Sequence, residues 1–173
     1  INPQGNRLLV ANRDDNNVMV FELPSRKLLA TIPVGQAPFG VTIAADGDQA
    51  YVANVQSNDV TVINVRLMRA IFSVDVGESP YATAHDPVRN RLLVTNQHDS
   101  TVSVVDLAKR TELSRIEVGD YPEGIAYIND YQQFYVANWF SNSISVIDAQ
   151  SLKVLGEIPC GDGSRAFGQF LLQ

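Results

Sequence analysis

The sequence predicts an all-β repeat protein, and two observations carry that expectation. Asn12, Asn54, Asn96 and Asn138 stand at a constant step of 42 residues, and Gly35, Gly77, Gly119 and Gly161 keep the same step. Between these landmarks the chain breaks into short apolar or alternating runs bounded by Asn, Asp, Gly and Pro, with no apolar stripe at helical spacing. Pro38, Pro80 and Pro122 hold the register too, Ser164 takes the fourth place, and no gap is needed. A fixed period of this length is the mark of a repeat architecture.

Each repeat reads as four strands. The first is a continuous apolar run: Leu8-Leu9-Val10-Ala11-Asn12 returns as Ala50-Tyr51-Val52-Ala53-Asn54, Leu92-Leu93-Val94-Thr95-Asn96 and Phe134-Tyr135-Val136-Ala137-Asn138. Such a run fits a strand buried on both faces. After a polar loop such as Gln56-Ser57-Asn58-Asp59 comes an alternating strand, as in Thr101-Val102-Ser103-Val104 and Ser143-Ile144-Ser145-Val146. Glu22, Asn64, Asp106 and Asp148 close it and are placed to start a turn by bonding their own backbone. The third strand carries Leu29, Ile71, Leu113 and Leu155, then Ile32, Val74, Ile116 and Ile158, and it contains Pro33 and Pro159. Proline cannot donate to a ladder, so this strand belongs at the outer edge. The last strand follows the glycine and proline, as in Pro38-Phe39-Gly40-Val41-Thr42-Ile43. Its small Gly40, Ala82, Gly124 and Ala166 suit a crowded strand near a central axis, and Asp46-Gly47 supplies a hairpin turn out of it. Strands are therefore expected near 8–12, 18–22, 28–34 and 39–45, recurring at steps of 42.

Four-stranded sheets at a period of about 40–50 residues predict a β-propeller. The expectation is a single domain, 1–173, built from four four-stranded blades of 42 residues as part of a larger ring. Its repeats fall at about 1–38, 39–80, 81–122 and 123–164, with 165–173 a final inner strand. Tyr51-Val52-Ala53-Asn54, the Ser57-Asn58 loop, Val60-Thr61-Val62-Ile63 and Val76-Gly77-Glu78-Ser79-Pro80 resemble the YVTN family of β-propeller repeats, and the resemblance covers the whole chain. It implies a seven-bladed ring, which needs roughly three more repeats, and a periplasmic, cell-surface or secreted setting. On this reading the chain is the C-terminal portion of a longer one lacking N-terminal blades. A closed four-bladed ring and self-association of two chains into an eight-bladed ring are the alternatives. The chain begins at Ile1, inside a repeat, with no signal sequence to judge.

Composition narrows the partners. Hydrophobic residues are 45% and charged residues 18%, a globular mixture, and the net charge of −6 argues against nucleic acid. No apolar run approaches the ~20 residues of a membrane-spanning helix, so membrane insertion is not expected. Cys160 is the one cysteine. It takes the place of Val34, Val76 and Val118, so it reads as a small buried hydrophobe.

A search for chemistry names no catalytic residue, metal ligand or cofactor. His85 and His98 lack metal-ligand spacing, and His85, before Asp86-Pro87, reads as turn-stabilising or exposed. His98-Asp99-Ser100 has triad residue types, but neighbours in one loop rarely face each other, and His98 reads as solvated. Gly161-Asp162-Gly163-Ser164 does not fit a phosphate loop, and Asp14-Asp15-Asn16-Asn17 lacks calcium-loop spacing and reads as solvated. One set of positions stands out. The residue after the repeat proline is Phe39, Tyr81, Glu123 and, after Ser164, Arg165, four different large side chains in an otherwise uniform framework. The loop after the repeat asparagine also diversifies, to Gln97-His98 and Trp139-Phe140. Both places belong at one end of a propeller. Phe39, Tyr81, Glu123, Arg165, His98, Trp139 and Phe140 are therefore the candidate ligand-binding residues, with a plug of the channel as the other reading of the same side chains.

The function expected is a non-catalytic binding or scaffold module holding a protein or a small polar ligand on that loop face. The alternatives are a propeller subunit of an oxidoreductase, like those of quinoprotein amine dehydrogenases or haem-bearing nitrite reductases, and a metal-dependent hydrolase of the lactonase kind. Only Glu123 offers a carboxylate at the candidate channel mouth, which counts against the last.

Overall fold

The computed structural model describes residues 1–166, and these contain no helix. The first sheet holds β1 (Arg7–Asn12), β2 (Asn17–Glu22) and β3 (Leu28–Pro33) in that order. The second runs β4 (Pro38–Ile43), β5 (Gln49–Asn54), β6 (Asp59–Asn64) and β7 (Arg69–Asp75). The third runs β8 (Pro80–Asp86), β9 (Arg91–Asn96), β10 (Thr101–Asp106) and β11 (Thr111–Glu117), and the fourth β12 (Pro122–Ile128), β13 (Gln133–Asn138), β14 (Ser143–Asp148) and β15 (Val154–Pro159). Every neighbouring pair is antiparallel. These are propeller blades, and the expected strand windows fall on them in every repeat, except the last window, at 165–171.

The first blade has three strands, as expected of a sequence that begins inside a repeat with the three outer strands of a blade, and residues 1–6 fold into a turn. Asn2 Oδ1 accepts from Asn6 N at 3.1 Å and Arg7 N at 2.8 Å. Of the inner strand expected over 165–173, Arg165 and Ala166 lie outside any strand and the rest is outside the described residues.

The inner strands β4, β8 and β12 lie side by side, and β3, β7, β11 and β15 are outer edges. Pro33 and Pro159 end two of those edges, opposite Asn17 and Ser143, where a missing donor does least harm. The landmark asparagine and glycine prove to be one device. Asn96 Nδ2 donates to Thr101 Oγ1 at 3.0 Å and Ser103 Oγ at 2.8 Å, and Asn138 makes the same pair of bonds to Ser143 and Ser145. A Cβ on Gly119 would fall 2.7 Å from Asn138 Cγ, so the glycine leaves room for the amide.

Backbone conformation repeats even where side chains do not. Arg26, Met68, Arg110 and Leu152, at steps of 42, close the outer hairpins with φ of 63°, 52°, 60° and 59°. Ala37, Ser79 and Tyr121, before the inner strands, and Gly163 at the same repeat position, have φ of 52°, 56°, 56° and 70°. The outer hairpins start as expected at Asn64, Asp106 and Asp148, whose side chains accept from the backbone of Leu67, Lys109 and Ser151. Glu22, one methylene longer, accepts from Ser25 Oγ instead.

Three apolar clusters fill the junctions between successive blades. Leu9, Val18, Val20 and Ile32 of the first face Ala50, Val52, Ile63 and Val65 of the second. Tyr51, Val60, Val62 and Val74 then face Leu92, Val94, Val105 and Leu107. Leu93, Val102, Val104 and Ile116 face Phe134, Val136, Ile147 and Ala149. The central strands β5, β6, β9 and β10 of the two middle blades are thus buried on both faces, whereas β1, β14 and β15 are not. This corrects the reading of Cys160. Of its counterparts only Val76 is buried, Val34 and Val118 are part-exposed, and Cys160 is part-exposed like them.

Candidate functional site

The inner strands β4, β8 and β12 line one side of an open channel of about 930 Å³. At one end, each loop after a repeat asparagine is tied to the connector before an inner strand. Gln97 N donates to Ser79 O at 3.0 Å, Trp139 N to Tyr121 O at 3.1 Å and Phe140 N to Asp120 O at 3.2 Å. Asn16 Oδ1 accepts from Ala37 N, Asn58 Oδ1 from Ser79 N and Asn142 Oδ1 from Gly163 N, each 21 residues on, at 2.7–2.9 Å. These ties hold both diversified positions on one rim.

Around that rim the predicted residues form a continuous chain of contacts. Phe39 stacks on Tyr81 at 4.2 Å between ring centroids. Tyr81 reaches Arg165, and burial followed by the Glu123 carboxylate pushes the Tyr81 pKa up. Arg165 makes a forked pair with Glu123 through Nε at 2.8 Å and Nη2 at 2.7 Å. Glu123 is 1% exposed and also accepts from Gln97 Nε2 at 3.2 Å. The hydrogen bond to Glu123 raises the Arg165 pKa further, so the guanidinium stays charged and neutralised in place. Its other face lies over the Trp139 ring, 4.0 Å from the centroid. Trp139 and Phe140 then pack on Tyr121 at 5.6 and 4.7 Å, and Tyr121 on His98 at 5.7 Å.

Tyr121 is a hub absent from the residues that the sequence nominates. A signal was available: its repeat position otherwise holds Ala37, Ser79 and Gly163, so a large aromatic there breaks the framework. The fate of Glu123 also differs from an open funnel offering a free carboxylate, because it is buried beneath its pair with Arg165. His98 is exposed but bound: its Nδ1 lies 3.0 Å from Ser79 Oγ and its Nε2 3.5 Å from Tyr121 OH. Asp99 turns away to Glu78 N and Arg115, so no acid orients this histidine.

The channel below is lined by apolar side chains together with Thr42 on β4, Thr83 and His85 on β8, and Asn129. His85 is neither exposed nor part of the turn. Asp86 makes the turn by accepting from Val88 N and Arg89 N, while the alternation of β8 sends His85 inward, 5.3 Å from the Tyr51 ring. Burial holds the His85 pKa below its ordinary value, against the opposing pull of Asp46 and Asp86. In the loop after Asn12, on the same end as the rim, Asp14 is exposed and pairs with Arg13, and among the described residues no group of three His, Cys, Asp or Glu side chains could hold a metal. Chemically, the rim offers stacked aromatic faces around a neutralised ion pair. It suits binding.

No family model matches the chain, and no curated protein does. Solved structures match its fold. Hydrazine synthase of Kuenenia stuttgartiensis superposes with a TM-score of 0.83 at 21% identity, over 91% of this chain and 47% of that one. U3-55K follows with 0.78 at 15% identity over 92% and 52%. A functionally unknown protein from Desulfotomaculum acetoxidans gives 0.75 at 20% identity over 91% and 55%. The chain is a β-propeller assembly of all-β class. It spans about half the length of the solved chains it resembles.

Proposed function

We propose that this chain is a YVTN-type, non-catalytic binding module whose site is the rim of Phe39, Tyr81, Tyr121, Trp139 and Phe140 around the Glu123–Arg165 pair. The carrying observation is that two groups of aromatic side chains, Phe39–Tyr81 and Tyr121–Trp139–Phe140, are joined through Arg165, with Phe39 45% and Phe140 59% exposed. Rigid aromatic surface of this kind is enriched at recognition sites, because it contributes much contact area for little ordering entropy. The ion pair is internally neutralised, so it positions the rings and leaves hydrogen-bonding edges for a polar group. A peptide segment with one large apolar side chain and a free backbone suits that surface better than a lone ion does.

Trp139 is the only tryptophan, so its emission reports on this rim alone. Random heptapeptides displayed on phage would be panned on the wild-type protein, with counter-selection on the Phe39→Ala/Phe140→Ala double variant. The selected peptides would then be titrated against Trp139 emission. The expected result is binding that weakens about tenfold or more in either single variant, roughly 1.4 kcal/mol, with melting temperatures nearly unmoved. Selected peptides that bind both variants as tightly as wild type would refute the assignment, and a large stability loss with unchanged binding would mark the rim as a plug.

A further inference from the structure

The aromatic rim stands on the negative end of a strongly polarised molecule. Loops and strand ends lie either on the rim side or on the opposite side, where the inner and outer hairpins turn, and the charged side chains divide unequally between the two. The rim side carries ten carboxylates and two guanidinium groups, a net −8, whereas the hairpin side carries eight carboxylates against ten lysine and arginine side chains, a net +2. Arg115 and Glu157, in mid-strand, cancel, and residues 167–173 carry no charged side chain, so the two ends account for the whole net charge of −6. Three rim carboxylates are neutralised, Glu123 by Arg165, Asp14 by Arg13 and Asp99 by Arg115, and the other seven make no ion pair among the described residues. Of these, Glu78, Asp120 and Asp162 are exposed and share one repeat position, directly before Ser79, Tyr121 and Gly163. Asp120 adjoins the aromatic hub, since Phe140 N donates to its carbonyl oxygen at 3.2 Å.

We infer that the partner of this rim is a basic peptide segment, with lysine or arginine side chains over the exposed rings and against these carboxylates. The inference rests on the rim being a binding site, as proposed above, and adds the charge of what binds there. The structure already holds the pattern once. Arg165 lies 4.0 Å over the Trp139 ring while Glu123 grips its guanidinium at 2.7 and 2.8 Å. The exposed Phe140 ring and the Asp120 carboxylate bring the same two groups together one loop away, and no cation of the described chain is ion-paired to Asp120. An aromatic face and a carboxylate attract a cation for separate reasons, the ring through its quadrupole and the acid through its charge. The rim acids do not converge, because no group of three among the described residues could hold a metal, so their field draws in an extended cation and does not chelate an ion. Glu78, Asp120 and Asp162 each come from a different inter-blade connector, and a chain of several cations meets them together where a single small amine meets one. An apolar side chain within that segment covers the Phe39 and Phe140 rings, and an acidic segment is repelled.

Three end-blocked heptapeptides with a central phenylalanine test this, flanked respectively by lysine and arginine, by serine, and by glutamate, each titrated against the Trp139 emission of the full chain. The basic peptide is expected to bind about tenfold or more tightly than the serine one at about 50 mM salt, to lose that advantage toward about 500 mM, and the glutamate peptide to bind least. The isosteric double variant Glu78→Gln/Asp120→Asn should remove most of the advantage at an unchanged melting temperature and leave the serine peptide's affinity as it was. A basic peptide that binds no more tightly than the serine peptide, with both lost in Phe140→Ala, would overturn the charge inference while the rim remains a binding site. Basic-peptide binding that persists in the Phe39→Ala/Phe140→Ala variant would overturn it as well, because the field alone would then hold the cation away from the rings. Binding by none of the three would also overturn it, and the panned heptapeptides would then decide separately whether the rim binds at all.

Discussion

Gly40→Ala puts the crowding of the inner strands to a quantitative test. Gly40 lies on β4, where an added Cβ would overlap the main-chain carbonyl oxygen of Tyr81 on β8, well inside 3.0 Å, and sit 3.4 Å from Ala82 Cα. The obstacle is backbone of the next blade, so no side-chain rotation relieves it and the two inner strands must separate. Overpacking of this kind costs about 1–3 kcal/mol, against which alanine gains roughly 0.5–1 kcal/mol by restricting the unfolded chain. The net expectation is a loss of about 1–2 kcal/mol, or roughly 2–8 °C in melting temperature for a chain of this size. Gly156 is the control. It lies on the edge strand β15 with nothing within 4 Å of an added Cβ and no positive φ, so Gly156→Ala should stabilise by about 0.4–1 kcal/mol. Calorimetry on the two variants and wild type gives both numbers. A Gly40→Ala protein as stable as the Gly156→Ala protein would refute the close approach of β4 and β8, and with it the placement of the rim residues on adjoining strands.

Two further predictions concern the repeat asparagines and the channel histidine. Asn96→Ala removes two buried hydrogen bonds and should cost about 1–3 kcal/mol in urea unfolding, whereas Asn12→Ala, in a half-buried blade and bonded to Asn17, should cost under about 1 kcal/mol; equal losses would show that burial between blades is irrelevant to the motif. His85 has its pKa depressed in the folded state, so below the unfolded value of about 6.5 the unfolded chain binds the extra proton first and stability falls as pH falls. The stability of wild type relative to His85→Gln should therefore be constant above about pH 7.5 and decline toward pH 5. A difference that stays flat from pH 8 to pH 5 would show that His85 titrates normally.

The fold was legible because its period is carried by residues with few alternatives. A proline in an outer strand, a glycine against an asparagine amide and an Asx turn each tie a residue type to one backbone site, and the strand windows followed from them. Site geometry was only partly legible. That Phe39, Tyr81, Glu123 and Arg165 share a rim follows from equal spacing in a repeat, but the pairing of Glu123 with Arg165 depends on which way each side chain turns between blades. Tyr121 hid because it stands before the proline, at a position that is small in the other three repeats, whereas the obvious variation comes after it. The neighbours Asp86 and Pro87 suggest a turn role for His85, when the alternation of its strand decides its direction. Cys160 matches three valines of which only Val76 is fully buried, so the repeat position itself does not guarantee burial.

The outer hairpins carry a different lesson, about how this protein could be hardened. Arg26, Met68, Arg110 and Leu152 all adopt a left-handed conformation that side chains with a Cβ resist by roughly 1–2 kcal/mol each. None is glycine or asparagine, the residues that enter this region most readily. The ladders on either side dictate the bend, and the residue at its tip complies. The four tips are therefore sites of built-in tension distributed evenly along the chain's outer rim, away from the channel. Replacing Arg26 with asparagine or glycine would slacken that tension without touching a core contact, whereas at the other tips the same change also removes the packing of Met68 and Leu152 on the apolar clusters or the contact of Arg110 with Phe72. A repeat that forces its geometry on unwilling residues leaves its designer an untouched margin of thermal endurance.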